Sequence, residues 1–199
     1  MLRRWMHGVA AAATVVAATA CGGSNSSAKG TASAPTAPSP TADPWAVPAT
    51  ITPDYINRVL AKLDQAEGDA LRSVRSSNTI TPQFVAVERA IRASEHERQL
   101  ETDLQIKSIN AGWPNTKPMP GNRRSMVARL LRAEPSCVEA ATAEDFSAVT
   151  LSTPTPYPQW YITLVPAEPN DLNPTHWRFS YDGYESTGQV PAPACGNSQ

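Results

Sequence analysis

Between Ile56 and Val74 apolar residues return every three or four positions, at Ile56, Val59, Leu60, Leu63, Ala66, Ala70, Leu71 and Val74. That spacing predicts a helix with one buried face. A second helical run extends from Pro82 to about Ala111 through Phe84, Val87, Ile91, Leu100, Leu104 and Ile109. Its middle, Ser94 to Gln99, is polar all round, so it either faces solvent or marks a break. Both runs open on the same phrase, Ile51-Thr52-Pro53 and Ile80-Thr81-Pro82. The Thr caps free backbone N–H groups, the Pro suits a first turn that needs no donor, and the Ile can staple onto Ile56 or Val85. Gly68 costs about 1 kcal/mol within the first helix and is a candidate for a bend.

After Gly112 the period changes. Gly112 to Asn122 holds three prolines and two glycines and reads as an irregular connection. Four strand candidates follow, at about Arg124–Arg132, Cys137–Val149, Gln159–Val165 and His176–Asp182. In the last two, Trp160, Ile162 and Leu164 alternate with Tyr161, Thr163 and Val165, and Trp177, Phe179 and Tyr181 alternate with His176, Arg178, Ser180 and Asp182. Strict alternation puts the aromatic set on one face, which should lie against the helices and wall any pocket with Trp160, Ile162, Trp177, Phe179 and Tyr181. Helices first and a meander afterwards predicts an α+β fold, with N-terminal helices packed on a curved, antiparallel, four-stranded sheet.

The start of the chain has a different character. Met1 to His7 carries Arg3 and Arg4 and no acid, and Gly8 to Ala18 is an Ala/Val/Thr run shorter than the roughly 20 residues that span a bilayer. This pattern marks residues 1–20 as a signal peptide. The run ends Ala18-Thr19-Ala20-Cys21, which resembles the bacterial lipobox, with Ala18 where Leu is usual. The same small-x-small triplet fits ordinary secretory cleavage, and both routes leave Cys21 first. Parity separates them, because the chain has three cysteines and an odd thiol is a liability in an oxidising compartment. With Cys21 lipidated, Cys137 and Cys195 remain as one pair, whose closed loop is worth about 4 kcal/mol in the chain-entropy model. The expected location is the extracytoplasmic face of the cell membrane, held by acyl chains.

From Cys21 to about residue 50 the chain is mostly Gly, Ser, Thr, Ala and Pro, with too little apolar surface to offset ordering entropy. It reads as a disordered tether reaching about 30 Å as a coil. Trp45, its one large apolar side chain, can pack on the domain or dip into the membrane interface. Residues 51–199 then form a single globular domain. Without Arg3 and Arg4, 17 basic and 18 acidic residues become 15 and 18, a net charge near −3 with no basic patch for nucleic acid.

The order of elements, with a strand ending Trp177-Arg178-Phe179-Ser180-Tyr181-Asp182-Gly183, resembles the cone-shaped, cystatin-like folds of the nuclear transport factor 2-like and SnoaL-like group. Envelope lipoproteins of actinobacteria with Ala/Pro-rich tethers resemble it too. The group implies either a binding domain or an enzyme of the isomerase or hydratase type.

Candidate chemistry is sparse. His96 stands on a polar helix face beside Glu95, Glu97 and Arg98 and reads as solvated, while Glu88 with Arg92 reads as charge pairing on a wet surface. His176 is the better acid/base candidate, with Asp145, Asp182 and Glu185 as carboxylates that could lie near a cone mouth. Two remaining histidines and a committed cysteine pair leave no metal site, and no cofactor fingerprint is present. The expectation is a non-catalytic envelope lipoprotein that binds a small apolar ligand, a lipid or an envelope protein. A buried carboxylate of raised pKa in the pocket would favour the enzyme instead.

Overall fold

The computed structural model describes residues 43–152, 159–184 and Cys195. The expected signal peptide, Cys21, the expected tether up to residue 42 and Glu185 lie outside them. Three helices, α1 (Pro53–Ser77), α2 (Pro82–Ile91) and α3 (Glu95–Asn110), precede four strands, β1 (Arg124–Glu134), β2 (Cys137–Asp145), β3 (Trp160–Pro166) and β4 (Trp177–Tyr184). The strands pair antiparallel in chain order into one open sheet. The architecture is α+β.

The two Ile-Thr-Pro phrases act alike. Thr52 accepts from the Tyr55 N–H and Thr81 from the Phe84 N–H, with proline in each first turn. The α1 stripe is buried at Ile56, Val59, Leu60, Leu63, Ala70 and Val74, where it meets Val138, Ala140, Ile162, Leu164, Trp177 and Phe179 from the sheet. At Gly68 a Cβ would run into the Asn122 side chain, so the glycine serves a close approach of chain rather than a bend. Asn122 Oδ1 is in turn held by Arg72 Nη1 at 3.0 Å.

The long second helical run is two helices. Arg92 leaves α2 in extended conformation, and the Ala93 N–H donates to the Phe179 carbonyl at 2.6 Å, so the link forms a short bridge along the free edge of β4. Ser94 then caps α3 by accepting from the Glu97 N–H. The break covers a strand edge that would otherwise offer unpaired backbone groups, and it turns Arg92 inward. Leu100 and Leu104, read as part of an apolar stripe, are exposed on α3.

β2 ends at Asp145, earlier than expected, because Phe146 to Val149 closes a turn with the Val149 N–H on the Phe146 carbonyl. Cys137 at the start of β2 is bonded to Cys195, Cα to Cα 5.7 Å. The described segment before α1 is tied to the domain: the Tyr55 hydroxyl donates to the Trp45 carbonyl at 3.1 Å, and Asp43 meets His176 Nε2 at 2.7 Å. No helix among the described residues is long and apolar enough to cross a membrane.

Candidate functional site

The alternation expected along β4 is interrupted. Leu164 pairs with Phe179 but Thr163 pairs with Tyr181, so Ser180 is an extra residue on β4 and the ladder resumes with Asp182 opposite Ile162. A bulge of this kind re-aims every side chain beyond it. Trp177, Phe179, Asp182 and Tyr184 therefore share the helix-facing side, and Tyr181 lies on the opposite face beside Gly183. Of the five residues expected to wall a pocket, Trp160, Ile162, Trp177 and Phe179 do come together on the core face, while Tyr181 does not. Ile162, Trp177 and Phe179 are buried in the core, and Trp160, packed against them, is the one that lines a cavity.

That cavity, about 270 Å³, lies between α1, α3, the turn after β2 and the ends of β3 and β4. Leu71, Phe84, Leu104, Phe146, Val149 and Trp160 supply its apolar wall. Asp64 and Glu67 of α1, Glu101 and Gln105 of α3, and Arg92, Arg123 and Asp182 supply the polar part of the lining. The Phe146 and Trp160 rings are 5.7 Å apart between centroids, and Trp160 continues to Tyr184 at 5.3 Å.

Two buried guanidiniums organise the polar side, and each meets four carboxylates. Arg92 contacts Glu88 and Glu67 at 2.6 Å, Asp182 at 3.6 Å and Glu101 at 3.7 Å. Arg123 contacts Asp182 at 2.9 Å, Asp64 and Glu67 at 3.2 Å and Glu144 at 3.5 Å. Phe179 lies beneath both, 5.8 and 5.9 Å from its ring centre. Neutral donors complete the network. The Ser125 N–H and hydroxyl both reach Asp64, the same hydroxyl lies 2.7 Å from Glu144, Thr142 donates to Glu144 at 2.6 Å, and the Trp160 indole N–H donates to Asp182 at 2.6 Å. The Glu88–Arg92 pair, expected on a wet surface, is 1% and 3% exposed. The helix break after Ile91 is the cause, since it carries Arg92 under the sheet edge.

Six carboxylates against two guanidiniums is an excess of negative charge that burial does not tolerate. Burial, opposed by Arg123, pushes the Asp64 carboxyl up to about 6, and burial likewise pushes Glu144 up to about 7. Glu88 and Glu101 are raised by burial against the pull of Arg92. Burial alone would raise Asp182 as well, but Arg123 and Arg92 together outweigh it and hold that carboxyl below the usual range. A carboxyl that keeps its proton to higher pH folded than unfolded takes up a proton on folding, so acid favours the folded form across that window. Stability is accordingly expected to fall as pH rises from about 4.5 to about 7, with the depressed Asp182 reversing the trend below about 4. Thermal melts across this range check it, and Glu144→Gln should flatten the slope. A melting temperature that climbs steadily from pH 5 to pH 7 would contradict the assignment.

The residues singled out for acid/base chemistry do not converge. His176 is partly exposed against Asp43, and Asp145 is exposed and accepts from the Ser147 N–H. Of the described candidates, Asp182 alone joins the cavity. His96 is exposed on α3. The sequence signal for the missed residues was Asp64 and Glu67, which continue the helical spacing from Leu60 to Leu71 along the edge of the α1 stripe. No family model, characterised protein or solved structure matches the chain.

Proposed function

We propose that this chain is a lipid-anchored protein of the extracytoplasmic face of a bacterial cell membrane, whose cone-like domain, of the nuclear transport factor 2-like kind, binds a small ligand without transforming it. The Ala18-Thr19-Ala20-Cys21 run and the three-cysteine parity support the anchor, and the Ser/Thr/Ala/Pro-rich stretch after Cys21 supports a tether. Helices laid over one side of an open meander support the cone.

The observation that carries the binding reading is a cavity with an apolar wall whose acids are already engaged by the protein. Asp64 accepts from Arg123 Nε and the Ser125 N–H, Asp182 from Arg123 and Trp160, Glu67 from Arg92 and Glu101 from Gln105. Carboxylates so occupied shape and charge a pocket more readily than they take a proton from a substrate. Cavities that hold drug-sized ligands usually run from roughly 300 to 1,000 Å³; at about 270 Å³ this one falls just below that range and suits a smaller molecule.

Leu104 lines the cavity and is 53% exposed, so a larger side chain there fits without disturbing the core. Leu104→Trp is expected to keep the melting temperature while lowering affinity for a short alkyl probe such as n-hexylamine at least fivefold in calorimetric titration. Unchanged affinity would remove the cavity from the account. For the anchor, metabolic labelling with a palmitate analogue should mark the wild type and not Cys21→Ser; unlabelled wild type in the culture medium would overturn it.

An enzyme of the SnoaL-like type is the second reading, and the raised Asp64 carboxyl at the cavity is the observation in its favour. Under that reading Asp64, not His176, is the acid/base group. An activity abolished by Asp64→Asn with the fold intact would replace the binding reading.

A further inference from the structure

α3 has no continuous apolar face, with Leu100, Leu104 and Ile106 exposed, and it buries a single residue, Gln105, which is 7% exposed and lines the cavity. Its Nε2 donates to Glu101 Oε1 at 2.6 Å, one turn back on the same helix. A carboxylate only accepts, so this bond fixes the amide with nitrogen towards Glu101 and leaves Oε1 as an acceptor. That Oε1 is buried and has no hydrogen-bond partner. Glu67 also lines the cavity, and its Oε2 is left in a similar way: it stands 3.2 Å from Arg123 Nη2 as an ion pair but takes no hydrogen bond. Both unfilled polar positions on this wall want a donor, and an unfilled buried acceptor costs about 1–3 kcal/mol.

The charge around them has the same sense. Asp64 and Glu67 from α1, Glu101 from α3 and Asp182 from β4 face the cavity with Arg92 from the α2–α3 link and Arg123 ahead of β1, while Glu88 and Glu144 back the same two arginines. The arginines are spent on these acids, which leaves nothing to draw an anion in. The apolar part of the lining, Leu71, Phe84, Leu104, Phe146, Val149 and Trp160, suits carbon rather than a hydrated inorganic ion.

We propose that the cavity takes an organic cation, a protonated primary amine on a short apolar body, with the ammonium donating to Gln105 Oε1 and Glu67 Oε2 and the body against Trp160 and Phe146. The proposal deepens the binding reading and rests on it. An ammonium has three donors and one positive charge, which matches two open acceptors inside an acidic surround; an alcohol has one donor and no charge, and a carboxylate adds to the repulsion.

The test separates head group from body. The full mature chain carrying Cys21→Ser, which needs no detergent, is titrated calorimetrically at pH 7.5 with n-hexylamine, n-hexanol and sodium hexanoate at equal ionic strength. Hexylammonium is expected to bind at least tenfold more tightly than hexanol, with hexanoate weaker still. Gln105→Met, which keeps the side-chain volume and strips the acceptor, should lower hexylammonium affinity about tenfold with the melting temperature retained. Hexanol or hexanoate binding as tightly as the amine would overturn the cation while leaving the cavity reading in place. Calcium chloride displacing hexylammonium at equal concentration would overturn the organic ligand in favour of an inorganic one. Binding by none of the three probes would sink the cavity reading and this inference with it.

Discussion

Arg123→Met is expected to destabilise the folded domain by about 3–5 kcal/mol near neutral pH, the usual loss when one partner of a buried ion pair is removed and its counter-charges stay behind. Arg123 has four of them, Asp64, Glu67, Glu144 and Asp182, contributed by α1, β2 and β4, so its loss weakens several joints of the fold at once. Methionine fills much of the same volume over Phe179, which keeps the cavity term small and isolates the electrostatic one. The pH dependence supplies the signature. With Arg123 gone, Asp182 loses the nearer of the two cations that hold it ionised, and protonation becomes the cheaper way to relieve the stranded carboxylates. The loss should therefore shrink at pH 5 relative to pH 8. Urea denaturation at the two pH values measures it, and a penalty below about 1 kcal/mol at pH 8 would show that Arg123 does not organise the cluster.

How much of this was legible in the sequence depends on whether one residue's environment is set by its neighbours along the chain or by distant ones. The α1 stripe, the two Thr-Pro caps and the four strands follow from local spacing and capping chemistry, and the structure has them close to where that chemistry puts them. The break between α2 and α3 was half visible, since a polar stretch from Ser94 to Gln99 fits either a wet helix or a gap. What decides it is the unpaired edge of β4 some 85 positions later, which takes the Ala93 N–H. The β4 bulge was not legible at all. Trp177-Arg178-Phe179-Ser180-Tyr181-Asp182 alternates perfectly as a string, and only the register against β3 reveals that Ser180 is extra. That one residue moves Asp182 from the expected outer face to the inner one and sends Tyr181 the other way. The buried cluster then escaped notice for a related reason: Glu88 and Arg92 four apart on a helix look like any surface pair until the helix ends beside them and the chain folds back to bury both.

Trp177, the first residue of β4, and His176 just before it separate packing from surface chemistry. Trp177→Ala should cost about 3–5 kcal/mol, because the indole is fully buried against the α1 stripe and its removal leaves a cavity in the centre of the core. A second loss adds to the first. Trp177 Nε1 donates to the Tyr55 hydroxyl at 2.9 Å, and that hydroxyl donates to the Trp45 carbonyl at 3.1 Å, so the indole anchors a chain that ties the segment before α1 to the sheet. Trp177→Phe keeps most of the apolar volume and strips only the N–H, and is expected to cost about 1–2 kcal/mol. His176→Ala, one residue earlier, removes a partly exposed ring whose partner is the exposed carboxylate of Asp43, and should change stability by less than about 0.5 kcal/mol. Denaturation curves of the three variants give the ordering directly. Were His176→Ala to cost as much as Trp177→Ala, the weight of this region would lie in the Asp43 contact at the start of the domain and not in the core behind it.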